Sequence, residues 1–210
     1  MPTLERHFLR SLRQRIAVHH PFDHWLLSGM LPEQTIDAVT TLPFAPPIDA
    51  AFDGRRESNN STRVYFNPEN RDRYQVCDDL AACFSDPLVI GAIERATGTD
   101  LSEGQLRIEY CQDVDGFWLE PHLDISVKLF TMLIYLSDDP ALFDAGTDIY
   151  DSSPRHEKVC SAPYLRNAGL IFIPGANSWH GFSRRPIHGI RRSLIVNYVT
   201  RDWRAKEELA

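Results

Sequence analysis

From Gln105 onward the chain breaks into short β-branched and aromatic runs separated by turn residues: "QLRIEYC", "SVKLFTMLIYLS", "TDIYD", "GLIFIPG" and "RRSLIVNYVT". Runs this brief, at such spacing, predict a sandwich or barrel of many short strands. The half before them reads mainly as helices. Leu4, Phe8, Leu12 and Ile16 recur at helical spacing. "HPFDHWLLSGMLPEQTIDAVTTLPFAPP" reads as a short strand, then a helix opened by Pro32 and closed before Pro43. A polar loop follows, "DGRRESNNSTRVYFNPEN", with "TRVYF" as a strand inside it. One helix is expected over roughly Arg71 to Cys83. Another has Asp86 as N-cap, Pro87 at its first position and Gly98 as its stop. The expected architecture is mainly β with α. A single domain covers 1–210, with mainly helical support and a candidate lid over 1–104, a β core over 105–200 and a tail over 201–210.

Composition narrows the classes. A chain of 210 residues buries a proper core without disulfide or metal staples. A formal net charge of −7 argues against a nucleic-acid partner, because phosphate binding wants a basic surface. Cys77, Cys83, Cys111 and Cys160 form no C-x-x-C pair and fit no zinc module, so free thiols in a reducing compartment are expected. The first twenty residues lack an apolar signal core, and runs such as "LFTMLIYL" fall far short of the roughly 20 residues that span a bilayer. The expectation is a cytoplasmic protein without a membrane partner. The basic amphipathic first helix should pack on its own domain.

Titratable residues stand at the mouth of the most apolar strand. In "PHLDISVKLFTMLIYL" the pair His122 and Asp124 is two apart, so on an extended segment both side chains point the same way. A second histidine, His180 in "PGANSWHGF", follows the strand "LIFIP" and a turn. Two imidazoles and one carboxylate on one face of a metal leave positions open, which suits non-haem Fe(II) in an oxygenase. Eleven residues past His180, in "GIRRSLIVNYV", Arg191 and Ser193 share a strand face, as do Ile195 and Asn197. A guanidinium and a hydroxyl turned into a barrel are costly unless an anion meets them, and together they grip a carboxylate well.

"PHLD", "GLIFIPGANSWHGF" and "GIRRSL", in that order, resemble the Fe(II)- and 2-oxoglutarate-dependent dioxygenases of the prolyl 4-hydroxylase-like superfamily. The family writes these as H-x-D, a distal H after a strand and turn, and G-x-R-x-S. The resemblance covers about residues 105 to 200, with a family-like opening at "HPFDHWLLSGMLP". It implies a double-stranded β-helix, or jelly roll, flanked by N-terminal helices. It also implies iron on His122, Asp124 and His180, and the 2-oxoglutarate C5 carboxylate on Arg191 with help from Ser193. Tyr135 and Tyr110 match tyrosines near the cosubstrate in related enzymes. One departure is Thr147, where relatives often carry a second glycine. "RR" leaves two arginines to choose from, and strand parity with Ser193 favours Arg191 over Arg192. The reaction implied consumes dioxygen and 2-oxoglutarate, releases succinate and carbon dioxide, and hydroxylates a C–H bond. The presence of Asp124 favours hydroxylation over halogenation, in which that carboxylate is lost.

Loops over rigid scaffolds concentrate binding residues, so Asn59, Asn60 and Arg63 are candidate substrate residues, with Asn197 from the inward strand face. The expected substrate is a small molecule. The alternatives are a protein or peptide side chain, a cupin-type metal enzyme that ignores 2-oxoglutarate, and a non-catalytic binding barrel.

Overall fold

The computed structural model describes residues 3–48, 50–55 and 63–210. Five α-helices, two short 3-10 turns and eleven strands are described. The α-helices and strands are α1 (Leu4–Arg13), β1 (Ile16–Val18), β2 (His24–Ser28), α2 (Glu33–Thr40), β3 (Arg63–Tyr65), α3 (Pro68–Arg73), α4 (Gln75–Ser85), α5 (Pro87–Thr97), β4 (Gln105–Asp113), β5 (Leu119–His122), β6 (Lys128–Tyr135), β7 (Asp148–Tyr150), β8 (Lys158–Ser161), β9 (Ala168–Phe172), β10 (His180–Phe182) and β11 (Arg191–Val199).

The strands form two antiparallel sheets, one ordered β1-β2-β9-β6-β11-β4-β3 and one ordered β5-β10-β7-β8. This is a jelly-roll core with helices outside it, mainly β with α. The larger sheet has two buried faces. Leu106, Ile108 and Tyr110 of β4, Phe130, Met132 and Ile134 of β6, and Leu194, Val196 and Tyr198 of β11 pack with residues of α1, α2, α4 and α5. The opposite face sends Cys111, Leu133, Tyr135, Phe172 and Ile195 towards the smaller sheet, where they meet Leu119, Ile149 and Phe182. The strict alternation follows from the two-residue period of a strand.

Local chemistry sets the helix ends. Asp86 accepts from the backbone N–H of Leu88 at 2.7 Å, Pro87 opens α5, and Gly98 closes it at φ 76°. Two expectations need correction. The helix expected over 71–83 is two, because the backbone is extended at Tyr74 (φ −131°). Asn67 caps α3 and Pro68 stands in its first turn. The first helix ends at Arg13, and Ile16 lies on β1 with 64% of its surface exposed. Within the tail, Ala210 donates its backbone N–H to the Leu106 carbonyl at 3.0 Å, beside β4. All four cysteines are free thiols. No helix among the described residues is long and apolar enough to cross a membrane.

Asp148 pins the smaller sheet. Its buried carboxylate accepts from Arg185 Nη1 (2.7 Å), Ser161 Oγ (2.6 Å) and the backbone N–H of Ser183 (2.7 Å). Burial pushes its pKa up, but these bonds overcome it and hold the carboxyl at about 2. A depressed carboxyl stabilises the fold above its unfolded pKa and releases that stability as pH falls through its folded one. We expect Asp148 to contribute about 2 kcal/mol at neutral pH, lost between about pH 4 and pH 2. Asp148→Asn should flatten the acid limb of stability measured by urea unfolding against pH. An unchanged limb would refute this.

Candidate metal centre and adjoining cavity

β5 and β10 are neighbours, and their register places His122 opposite His180. Directly paired residues share a face, so both rings point the same way, with centroids 4.4 Å apart. His122 Nδ1 lies 2.9 Å from the Glu120 carbonyl, and His180 Nδ1 lies 2.9 Å from the Ser178 carbonyl. A carbonyl only accepts, so each neutral ring carries its proton on Nδ1 and keeps the Nε2 lone pair for a metal. Asp124 follows β5 in the turn to β6. One ligand atom from each of His122, Asp124 and His180 lies within 4.8 Å of the others. Two imidazoles and a carboxylate so gathered fit a divalent transition ion, Fe(II) included.

The carboxylate is held from the second sheet. Lys128 Nζ donates to Asp124 Oδ1 at 2.6 Å, and Thr131 Oγ1 donates to Oδ2 at 2.7 Å. Asn197 Nδ2 in turn donates to Thr131 Oγ1 at 3.0 Å. Asn197 also accepts from Arg107 Nη1 at 3.3 Å and is fully buried. The expected substrate role of Asn197 therefore gives way to a different one. Its amide is engaged behind the triad, and it lines none of the cavities described below. Thr131→Val keeps the shape and removes the donor. We expect it to weaken metal affinity about 10- to 100-fold, as loss of partners behind metal ligands does. Calorimetric titration with Mn(II) checks this, and an unchanged affinity would refute it.

A narrow cavity runs between the sheets. Its lining includes His180, Arg191 and Asp113, together with the apolar Phe117, Leu119, Leu133, Phe182 and Ile195. Arg191 and Ser193 lie on the inner face of β11, and Arg192 faces the other way with Leu194. Arg191 Nε donates to the Ala145 carbonyl (2.6 Å) and Nη1 to Asp113 Oδ2 (2.5 Å). Burial works against its charge, yet Asp113 and the flanking Tyr164 and Tyr135 hold its pKa above the ordinary arginine value. Ser193 is fully buried opposite Tyr135 and Cys111, and its hydroxyl has no hydrogen-bond partner among the described residues. An orphaned hydroxyl beside a buried guanidinium fits an anionic ligand there. Tyr135 donates to Thr147 Oγ1 at 2.9 Å and accepts from the Thr147 N–H at 3.2 Å. Burial raises its pKa against the pull of Arg191 and Thr147.

Tyr110 is misplaced by the sequence reading. It sits in the helix-side core, where its hydroxyl donates to Gln112 at 3.5 Å and meets Arg192. Strand parity is the reason: Arg107, Glu109, Cys111 and Asp113 take the inner face of β4, so Tyr110 takes the outer. Asn59 and Asn60 lie outside the described residues. Arg63 is described, and it lines both the cavity and a second pocket of ≈ 350 Å³ that includes His122 and Asp124. The reading of the sequence missed Lys128, Thr131, Asp113, Arg107 and Glu109. The signal was present in "RIEYCQD", where charges alternate along a strand of the core and so require a polar partner on one face.

No family model and no curated protein sequence matches the chain. Solved structures do. A prolyl-4-hydroxylase from Pseudomonas putida matches with a TM-score of 0.58 at 15% identity, over 95% of this chain and 94% of that one. A prolyl hydroxylase from Trichoplax adhaerens, in complex with a peptide fragment of the hypoxia inducible factor oxygen degradation domain, matches with a TM-score of 0.53 at 15% identity, over 93% and 89%. The viral collagen prolyl hydroxylase of Paramecium Bursaria Chlorella virus-1, as its 2-oxoglutarate complex, matches with a TM-score of 0.51 at 10% identity, over 84% and 94%. At these identities the likeness is one of fold.

Proposed function

We propose that the chain is an Fe(II)- and 2-oxoglutarate-dependent dioxygenase that hydroxylates a C–H bond of a small molecule, releasing succinate and carbon dioxide. The observation that carries this is the gathering of His122, Asp124 and His180, with His180 sharing a cavity with the buried Arg191, whose strand face also carries the orphaned hydroxyl of Ser193. Solved prolyl hydroxylases of the same fold support the reaction class and leave the substrate open.

In this reading His122, Asp124 and His180 hold the iron, and Arg191 with Ser193 receives the C5 carboxylate of 2-oxoglutarate. Iron and cosubstrate, when bound, supply the activation of dioxygen. The protein supplies orientation and dryness. Lys128 and Thr131 fix the direction of Asp124, and the two backbone carbonyls fix both imidazoles. Phe117, Leu119, Leu133, Phe182 and Ile195 keep water from the space between metal and arginine. Tyr135 holds the 146–148 segment through Thr147.

Asp113 opposes the cosubstrate. It already neutralises Arg191, so an arriving carboxylate meets a like charge across a small distance. Asp113→Asn keeps a hydrogen-bond acceptor for Arg191 and removes that charge. We expect it to tighten 2-oxoglutarate binding about tenfold. Calorimetry on the Mn(II)-loaded protein checks the sign, and weaker binding would refute it.

A second reading, hydroxylation of a peptide side chain, draws support from the peptide complex of the Trichoplax adhaerens enzyme. The test of the reaction class is succinate formation by the Fe(II)-loaded protein in air, which should require 2-oxoglutarate and iron together. A folded, iron-loaded protein that forms none would overturn it. A cupin-type metal enzyme would instead bind metal and ignore 2-oxoglutarate.

A further inference from the structure

The pocket in front of the triad is built mainly of charge. Besides His122 and Asp124 its walls include Arg63, Tyr65, Arg107, Lys128, Trp203 and Glu208. Arg107 is fully used. Its guanidinium lies 4.7 Å from the centroid of the Tyr65 ring and 4.8 Å from that of Trp203. Its Nη1 donates to Glu109 at 2.6 Å and its Nε to Glu208 at 2.6 Å. Lys128 is committed to Asp124. Arg63 is different. Its side chain is 4% exposed and its Nη1 donates to Glu109 at 2.6 Å, but its Nε is a buried N–H without an acceptor among the described residues. Trp203 Nε1, in the same pocket, is a second such donor.

Two buried donors without acceptors on residues that line one pocket are uncommon, because each leaves the desolvation cost of its N–H uncompensated. Both call for an acceptor, and one of them is cationic. Three of the acids nearby are paired: Glu109 with Arg63 and Arg107, Glu208 with Arg107, and Asp124 with Lys128; Glu120 and Arg55 add one charge of each sign to the lining. A divalent ion at the triad would turn this balanced lining net positive. A planar carboxylate offers two acceptor oxygens to a guanidinium edge and an indole N–H, and a pocket of ≈ 350 Å³ takes a small metabolite.

We propose that the substrate is a small carboxylic acid whose carboxylate is received by Arg63 and Trp203, which turns its aliphatic body towards His122 and Asp124. This rests on the reading of the chain as a 2-oxoglutarate-dependent hydroxylase and names the substrate class of that site. It also separates the two substrate readings for a residue such as proline, which inside a peptide has no free carboxylate to offer.

The experiment uses the full chain loaded with Mn(II) and 2-oxoglutarate under nitrogen. The probes are the twenty proteinogenic L-amino acids, their C-terminal amides, and a capped proline peptide, followed by calorimetry and thermal shift. At least one free acid should bind, with its amide weaker by about tenfold or more. Arg63→Gln should weaken that acid by a similar factor while 2-oxoglutarate affinity stays within about twofold. Trp203→Phe keeps a ring over Arg107 and removes only the N–H, so it should weaken the acid by about threefold without loss of fold. Equal binding of acid and amide, binding of the capped peptide alone, or no binding by any acid would each overturn the proposal. So would loss of 2-oxoglutarate binding in Arg63→Gln, which would assign Arg63 to the cosubstrate. Failure of the wild-type protein to bind 2-oxoglutarate would instead sink the hydroxylase reading beneath it.

Discussion

His180→Ala should abolish metal binding while leaving the protein folded. The ring is one of three ligands, and among the described residues no histidine other than His122 and His180 belongs to the cluster. Its Nδ1 proton is fixed by the Ser178 carbonyl, and its ring packs 4.6 Å from that of Phe172 and 4.4 Å from that of His122. A neighbour cannot replace a ligand so constrained. The loss of affinity should exceed the about 100-fold typical of changes behind the ligands. The fold should persist because the helix-side core, from Phe8 to Tyr198, is buried apolar packing that owes nothing to a metal. Equilibrium dialysis against Fe(II) or Mn(II), with circular dichroism on the same sample, decides this. Retained metal affinity would show that the triad is not the site.

Gly146→Ala should damage both stability and the cosubstrate end of the cavity. A Cβ there would stand 1.7 Å from the Ala162 carbonyl oxygen and 2.9 Å from its carbon. Backbone cannot yield as a flexible side chain does, so the strands must separate. The adjoining residues carry the cavity wall. Ala145 accepts from Arg191 Nε, Gly146 accepts from Arg185 Nη2 at 2.8 Å, and Thr147 meets Tyr135. We expect a loss of about 3 kcal/mol, near the upper end for forced overpacking, and a fall in Tm of about 10 °C. 2-Oxoglutarate binding should weaken with it. Gly175→Ala is the control. Its Cβ would meet nothing closer than Asn177 Oδ1 at 3.7 Å, so it should be near neutral. Equal thermal unfolding of the two variants would contradict the argument.

The long strands were legible in the sequence because each carries its own signal. "KLFTMLIY" and "RRSLIVNYV" alternate between two buried faces, and both fall on strands of eight and nine residues. Of the smaller sheet, only "TDIYD" read as a strand. Its other strands have three or four residues, too few for a periodic signal, and β5 contains Pro121 and β10 Gly181, residue types that strands disfavour. Yet these strands seat both histidines, so the triad could be read as a spacing of residue types without the pairing that joins them. Parity placed Arg191 on the face it takes. Applied to "RIEYCQD", the same rule puts Tyr110 outside, because Arg107 and Glu109 occupy the other face. Contacts across distant sequence, such as Arg191 with Asp113 and Arg107 with Glu208, carry no local signal at all. Neither does the return of the chain end, which brings Trp203 and Glu208 to the pocket in front of the triad.

The most direct measurement is an anaerobic titration of the Fe(II)-loaded protein with 2-oxoglutarate, followed by the visible metal-to-ligand charge-transfer band. The account predicts a saturable band that requires the metal and is absent in His180→Ala and in the paired variant Arg191→Gln with Asp113→Asn. Iron bound at the triad with no such band, or an unchanged band in the paired variant, would contradict it.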